Sequence, residues 1–267
     1  MTEDHVQAAA AALERLLAGA TPSEIIAEAV RSVAPGRLAV VSSFGAETAA
    51  LLKLVADADP SLPVLFLDTG WLFPETLAYR DTLASHFGLT DIRVFTPSAN
   101  ALSERDPGRE LWSVDPDACC GIRKVLPFAE ALRPFDAWIN GRKRYHGHER
   151  GSLPVVERDG HRLKFNPLAR ASKQEVESIF AVHTLPRHPL EAHGFTSIGC
   201  MPCTKRTQPG EGPRAGRWRG HDKTECGIHI PSAIGDADGN QEAARQDRRY
   251  DRDAVPARAP AKANSVG

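Results

Sequence analysis

Three short apolar runs, residues 37–41, 63–67 and 92–95, alternate with segments 46–58 and 74–87, whose apolar residues recur at helical spacing. Strands apolar on both faces need cover on both faces, and helices that return the chain to the same sheet edge supply it. A helix is expected to reach about Leu132, and residues 136–139 form a fourth apolar run. Residues 153–157 and 161–165, joined by Arg158, Asp159 and Gly160, read as a hairpin. The fold class is therefore α/β, a parallel sheet with helices on both faces.

Residues 1–36 are expected to form N-terminal helices. Val6, Leu13, Leu16 and Leu17 fall on one face of the first. Thr21, Pro22 and Glu24 make a capping box at the start of the second, and Ser172 with Glu175 caps a later helix that carries Val176, Ile179 and Phe180. The catalytic unit is placed at 37–230. Residues 231–267 hold almost no large apolar side chains, too few to offset ordering entropy, and are expected to be a disordered tail.

A formal net charge of −1 argues against a nucleic-acid coat or a strongly basic membrane binder, so anion binding must come from local Arg and Lys clusters. The first twenty residues carry acidic groups early and Glu14 and Arg15 within a helical pattern, unlike a secretory signal. No run approaches the roughly 18 apolar residues of a membrane span. A cytoplasmic protein is expected. In that reducing setting, Cys119, Cys120, Cys200, Cys203 and Cys226 point to metal or redox chemistry rather than a disulfide framework.

Two loops stand where open parallel sheets bind ligands, at the C-terminal strand ends. The first contains Ser42, Ser43, Phe44, Gly45 and Glu47, and a Ser/Gly-rich turn entering a helix offers N–H groups to phosphate. The second contains Asp68, Thr69 and Gly70, whose polar groups suit a ribose or base; Pro74 and Glu75 after it read as helix-start residues.

The cysteines carry the strongest signal. Cys119 and Cys120 are adjacent, and Cys200 and Cys203 form a C-x-x-C. Four thiolates suit Zn²⁺ or an iron–sulfur cluster. Adjacent side chains reach separate corners of a cubane more readily than one small ion, which favours iron–sulfur and leaves zinc open. Cys226 stands alone near Lys223 and His229, cations expected to favour its thiolate, while Glu225 opposes it. Basic clusters at Arg123 and Lys124, at 142–144, and at Arg214, Arg217 and Arg219 suit a phosphate–sulfate group.

Taken in order, these motifs resemble the assimilatory sulfonucleotide reductases, the adenylyl-sulfate and 3′-phosphoadenylyl-sulfate reductases. The matching pieces are 43–47, 67–70 with 73–76, Cys119 and Cys120 followed by Arg123 and Lys124, Gly141 with Arg142, 198–203, 208–211, 214–218 and 225–229. The resemblance implies a Rossmann-like, adenine-nucleotide α-hydrolase-like fold with nucleotide over the strand ends. It implies that Cys226 attacks the sulfate sulfur, that AMP leaves, and that thioredoxin or a similar dithiol frees sulfite from the Cys226 thiosulfonate. By motif position, Lys124, Arg214 and Arg217 join Cys226 as catalytic candidates. Ser42, Ser43, Phe44, Gly45, Asp68, Thr69, Gly70, Arg142 and His229 are the substrate-binding candidates.

The two cysteine pairs resemble those of members that bind [4Fe–4S] and reduce adenosine 5′-phosphosulfate. The 3′-phosphoadenylyl-sulfate reductases are the nearest alternative. Trp71 stands where the family usually has a basic residue, and residues 145–148 replace a Gln/Ser-rich stretch. An ATP pyrophosphatase or sulfurtransferase would want a Ser-Gly-Gly-x-Asp-Ser loop, which 43–47 lacks. A zinc-stabilised binding module leaves Cys226 unexplained. Self-association into a homo-oligomer is compatible with every residue named.

Overall fold

The computed structural model describes residues 2–229; the tail expected at 231–267 lies outside the described residues. The chain starts with α1 (Glu3–Leu16) and α2 (Pro22–Ser32) and continues through β1 (Leu38–Val41), α3 (Thr48–Ala58), β2 (Val64–Leu67), α4 (Pro74–Phe87) and β3 (Ile92–Phe95). Helices α5 (Ala99–Arg105), α6 (Leu111–Val114) and α7 (Pro116–Cys120) follow. A π-helical turn, Gly121–Val125, joins α7 to α8 (Leu126–Leu132). Then come β4 (Ala137–Ile139), β5 (Val156–Asp159), β6 (Arg162–Phe165) and α9 (Lys173–Val182).

The six strands form one sheet in the order β3-β2-β1-β4-β6-β5. All pair in parallel except edge strand β5, which is antiparallel to β6. The sheet is thus mixed. The hairpin was legible as a local feature, but β6 joins β4 in parallel and extends the main sheet. Its first strand also starts at Val156 rather than at 153, where Val156 N–H donates to Glu14 of α1 at 2.8 Å. Gly160, at φ +59°, closes the turn.

Alternation along β1 splits the core. Leu38 and Val40 face the layer of α2, α3 and α4, whereas Ala39 and Val41 face α8, with Phe128, Leu132 and Trp138. Both capping boxes form. In α1, Val6, Ala10 and Leu17 are buried, but Leu16 is 66% exposed. It falls about 100° around the helix from Leu17 and so leaves the buried stripe.

The chain runs from β1 outward to β2 and β3, then returns to place β4 on the other side of β1. Strand order therefore reverses between β1 and β4, and the crevice above that switch point is where such sheets take ligands. Among the described residues, no helix is long and apolar enough to cross a membrane.

Candidate functional site

The ends of β1 and β4 open into a cleft of about 770 Å³. Ser42 accepts a hydrogen bond from Phe44 N–H at 3.1 Å and lies 3.0 Å from the Thr48 hydroxyl. Phe44 takes a left-handed φ of +48°, and its ring packs edge-on against Phe66 in the core. That turn leaves Ser42, Ser43 and Gly45 lining the cleft, while the Phe44 side chain anchors the loop from below. The start of α3 is beside them, a favourable place for an anion.

After β4, Asn140 holds the Arg142 backbone N–H at 3.1 Å, and Arg142 enters the cleft, ion-paired to Glu157. Lys143 pairs with Glu47 at 2.9 Å. Tyr145 donates to the same carboxylate at 2.6 Å, and His146 lies 3.0 Å from it. The departure at 145–148 thus has a local use: Tyr145 and His146 tie the first loop to the segment after β4. Glu47 is half-buried, which alone would raise its pKa, yet its hydrogen bonds and Lys143 hold its carboxyl well below the usual range.

A second space of about 670 Å³ continues from this cleft and contains Lys124, Arg214, Arg217, Glu225, Cys226 and His229. Arg150, which sequence reasoning did not single out, donates to Glu225 at 2.6 Å, and Arg214 lies 3.3 Å from the same carboxylate. Despite burial, those contacts hold Glu225 at about 2. Its charge is cancelled, so it does not oppose a thiolate at Cys226 as expected from sequence. The one clue to Arg150 was its place at the end of a cation-rich stretch.

The two expected cations also differ. Lys223 is ion-paired with Asp117. His229 is enclosed and stacked on Trp138, with centroids 6.0 Å apart and planes 12° from parallel. Burial, then the cations Arg142, Lys164, Arg150 and Arg214, drive it well below the usual imidazole range, so it is neutral. Its Nδ1 has no partner. The cations free to act at Cys226 are Lys124 and Arg217, neither of which has a carboxylate partner among the described residues. Burial disfavours the Lys124 charge, but Cys200, Cys120 and Cys226 together raise it above the ordinary lysine range. Ligating atoms of Glu225, Cys226 and His229 lie within 4.8 Å of one another. The guanidinium groups on Glu225 make that cluster a poor site for a metal cation.

Asp68, Thr69 and Gly70 stand apart from this cleft, around a separate hollow of about 940 Å³ with Asp106, Arg109 and Arg123. Asp68 accepts from Gly70 N–H at 2.9 Å, and buried Thr69 places its hydroxyl 3.2 Å from Cys200 Sγ. This loop faces the cysteines. Of β2, it is Leu67 that lines the Cys226 space.

Cys119 and Cys120 end α7, where Asp115 caps the helix by accepting from Ala118 N–H at 2.9 Å. Cys200 is held by an antiparallel bridge to Leu72, with Met201 N–H donating to the Trp71 carbonyl at 2.7 Å. A 3₁₀ turn through Pro202 brings Cys203 alongside. All four cysteines line one cavity of about 280 Å³, with Trp71, Arg123, Lys124 and Trp218. Burial, then the adjacent Cys120 sulfur, pushes the Cys119 thiol up to about 12.

The four cysteines offer a donor set for a metal group. Tetrahedral zinc needs sulfurs about 3.8 Å apart. Among the described residues, no three of these sulfurs lie within 4.8 Å of one another. The buried donors Trp71 Nε1, Trp218 Nε1 and Arg123 Nε, all on residues lining the cavity, also have no acceptor. A metal group with acceptor atoms of its own matches that donor set.

The mixed sheet and its switch-point cleft define a fold of the adenine-nucleotide α-hydrolase type. The chain belongs to the phosphoadenosine phosphosulfate reductase domain family, whose profile matches residues 37–206. It is an oxidoreductase. It is 48% identical over 228 residues, 85% of this chain and 90% of the relative, to an adenosine 5′-phosphosulfate reductase of Mesorhizobium japonicum. A phosphoadenosine 5′-phosphosulfate reductase of Gloeobacter violaceus is 41% identical, covering 78% of this chain and 88% of the relative. The crystal structure of phosphoadenylyl-sulfate reductase from Candida auris shares the fold, with a TM-score of 0.64 and 22% identity over 77% of this chain and 98% of that one.

Proposed function

We propose that the protein reduces adenosine 5′-phosphosulfate to sulfite and AMP in the cytoplasm, as a step of sulfate assimilation. One observation carries this reading: Cys226 shares a pocket with Lys124 and Arg217, the cations without carboxylate partners, and that pocket continues into the cleft over β1 and β4. A sulfo group already bearing anionic oxygens repels a thiolate, so attack needs unneutralised cations at that place.

The Cys226 thiolate attacks the sulfate sulfur. The bond from that sulfur to the bridging oxygen breaks, and AMP leaves with the electron pair on its phosphate oxygen. Cys226 then carries S–SO₃⁻. A thiolate of thioredoxin or a similar dithiol attacks the Cys226 sulfur and expels sulfite; its second thiol resolves the mixed disulfide, and Cys226 returns as a thiolate. Lys124 and Arg217 neutralise the sulfo and phosphate oxygens, Arg142 and the 42–45 loop hold the nucleotide, and His229 lends a neutral ring to the pocket wall. Cys119, Cys120, Cys200 and Cys203 would hold a [4Fe–4S] cluster, which with its four thiolates would carry net negative charge and give Lys124 a rigid electrostatic partner.

The test is peptide mass spectrometry after mixing wild-type enzyme with adenosine 5′-phosphosulfate and no reductant. The Cys226 peptide should gain one SO₃ group. Cys226→Ser should form no adduct and release no sulfite while still binding nucleotide. Sulfite release by that variant at the wild-type rate would overturn the mechanism. Running the same assay with the 3′-phosphorylated nucleotide decides between the two substrates named among the relatives.

A further inference from the structure

Trp71 occupies the position where the family resemblance leads one to expect a basic side chain. Its backbone carbonyl accepts from Met201 N–H, and the next residue, Leu72, bridges to Cys200, so the indole is fixed beside the C-x-x-C turn. The ring lines the four-cysteine cavity. Its Nε1 is buried without a partner, although the Thr69 hydroxyl nearby already serves Cys200.

Two guanidinium groups hold the ring. Arg109 lies 4.5 Å and Arg123 5.4 Å from its centroid. Arg109 takes a left-handed φ of +56°, uncommon for a side chain of its size, and comes from a different loop. Arg109 thus sets a cation against the ring at position 71, and the ring lines the four-cysteine cavity.

A buried N–H left without an acceptor is destabilising. A ring clamped by two cations and a backbone bridge does not turn away to relieve that cost. From these observations, and resting on the [4Fe–4S] reading above, we infer that Trp71 tunes the cluster by donating its indole N–H to a cluster sulfur. Hydrogen bonds to sulfur draw electron density from the Fe–S bonds and are a principal means by which proteins adjust such clusters. Trp71 is a positioning and tuning residue; it does not touch substrate.

The experiment uses anaerobically purified holoprotein, with iron, acid-labile sulfide and resonance Raman spectra measured on each sample. Trp71→Phe keeps an aromatic ring and deletes the N–H. Incorporation of 3-benzothienylalanine at position 71 keeps the fused ring as well and guards against a packing defect. Both should retain wild-type iron and sulfide, with Fe–S stretching bands moved to higher frequency. The band shift that wild type shows on transfer to D₂O should shrink in both. Spectra matching wild type in both proteins at equal iron and sulfide would overturn the role of Trp71 and leave the cluster standing. Absence of acid-labile sulfide from the wild type would overturn the cluster reading itself.

Discussion

Arg150 donates from Nε to Glu225 Oε2 at 2.6 Å across 75 residues of chain, and both side chains are buried. The pair fixes the residue that precedes Cys226, so the Cys226 sulfur is placed by a carboxylate whose charge is already cancelled. Arg214 contributes at 3.3 Å, and the backbone N–H of Cys226 lies 3.2 Å from the same carboxylate.

Breaking a buried pair by removing one partner costs about 3–5 kcal/mol. Arg150→Met should spend that loss locally, on the segment holding Cys226. Iodoacetamide should then alkylate Cys226 at least about tenfold faster, since each 1.4 kcal/mol is a factor of ten. Thermal unfolding of the sheet should move far less. An unchanged alkylation rate counts against the clamp.

Gly199 lies directly against the guanidinium of Arg217. A Cβ there would sit 2.3 Å from one terminal nitrogen of Arg217 and 2.6 Å from its Cζ. Gly199→Ala should displace that cation from the Cys226 pocket and lower kcat about 10²-fold, the scale seen when one transition-state donor is lost. Nucleotide binding in the cleft should change much less. Equal kcat in the two proteins would show that Arg217 is not needed where it now stands.

Gly227 presses the turn after Cys226 against the π-helical segment. A Cβ at 227 would fall 2.7 Å from Val125 Cγ2. Gly227→Ala should therefore reduce turnover by pushing Cys226 away from Lys124, and Val125→Ala in the same chain should restore much of it. Failure of the second change to rescue the first would place the defect elsewhere.

His188 sets a pH dependence away from the cleft. It is buried, accepts from Leu190 N–H at 3.2 Å and lies 3.0 Å from the Thr76 hydroxyl. Burial lowers it to about 4 from an ordinary value of 6.5. A base depressed by folding takes up its proton more readily when unfolded, so its contribution is complete above pH 6.5 and is lost as pH falls toward 4. The loss is of order 3 kcal/mol. In urea unfolding at pH 7 and pH 4.5, His188→Asn should lose less stability than wild type over that interval. Parallel losses would show that another group carries the dependence.

The strand–helix rhythm, both capping boxes and the cysteine pairs were legible because each depends on neighbours close in sequence. The parallel pairing of β4 with β6 was not, since it depends on which edge a hairpin meets after the sheet has formed. Proximity in sequence made Lys223 and His229 look like partners of the Cys226 thiolate. Folding gives Lys223 to Asp117 and strips the charge from His229, because the ring is buried and four other cations surround it. Asp68, Thr69 and Gly70 follow a strand end as a nucleotide loop does, and the packed chain sets the Thr69 hydroxyl beside Cys200. Ionisation and direction are properties of the packed chain, and spacing alone does not carry them.

The π-helical turn at Gly121–Val125 holds one residue more than an α-helical turn of the same span. Everything before it is therefore rotated by about 100° relative to the buried face of α8. Deleting a single residue there would let the helix run on without interruption, with Phe128 and Leu132 undisturbed in the core and Cys119 and Cys120 turned off the cavity. The four-cysteine corner is thus separable from the sheet by a one-residue change in length.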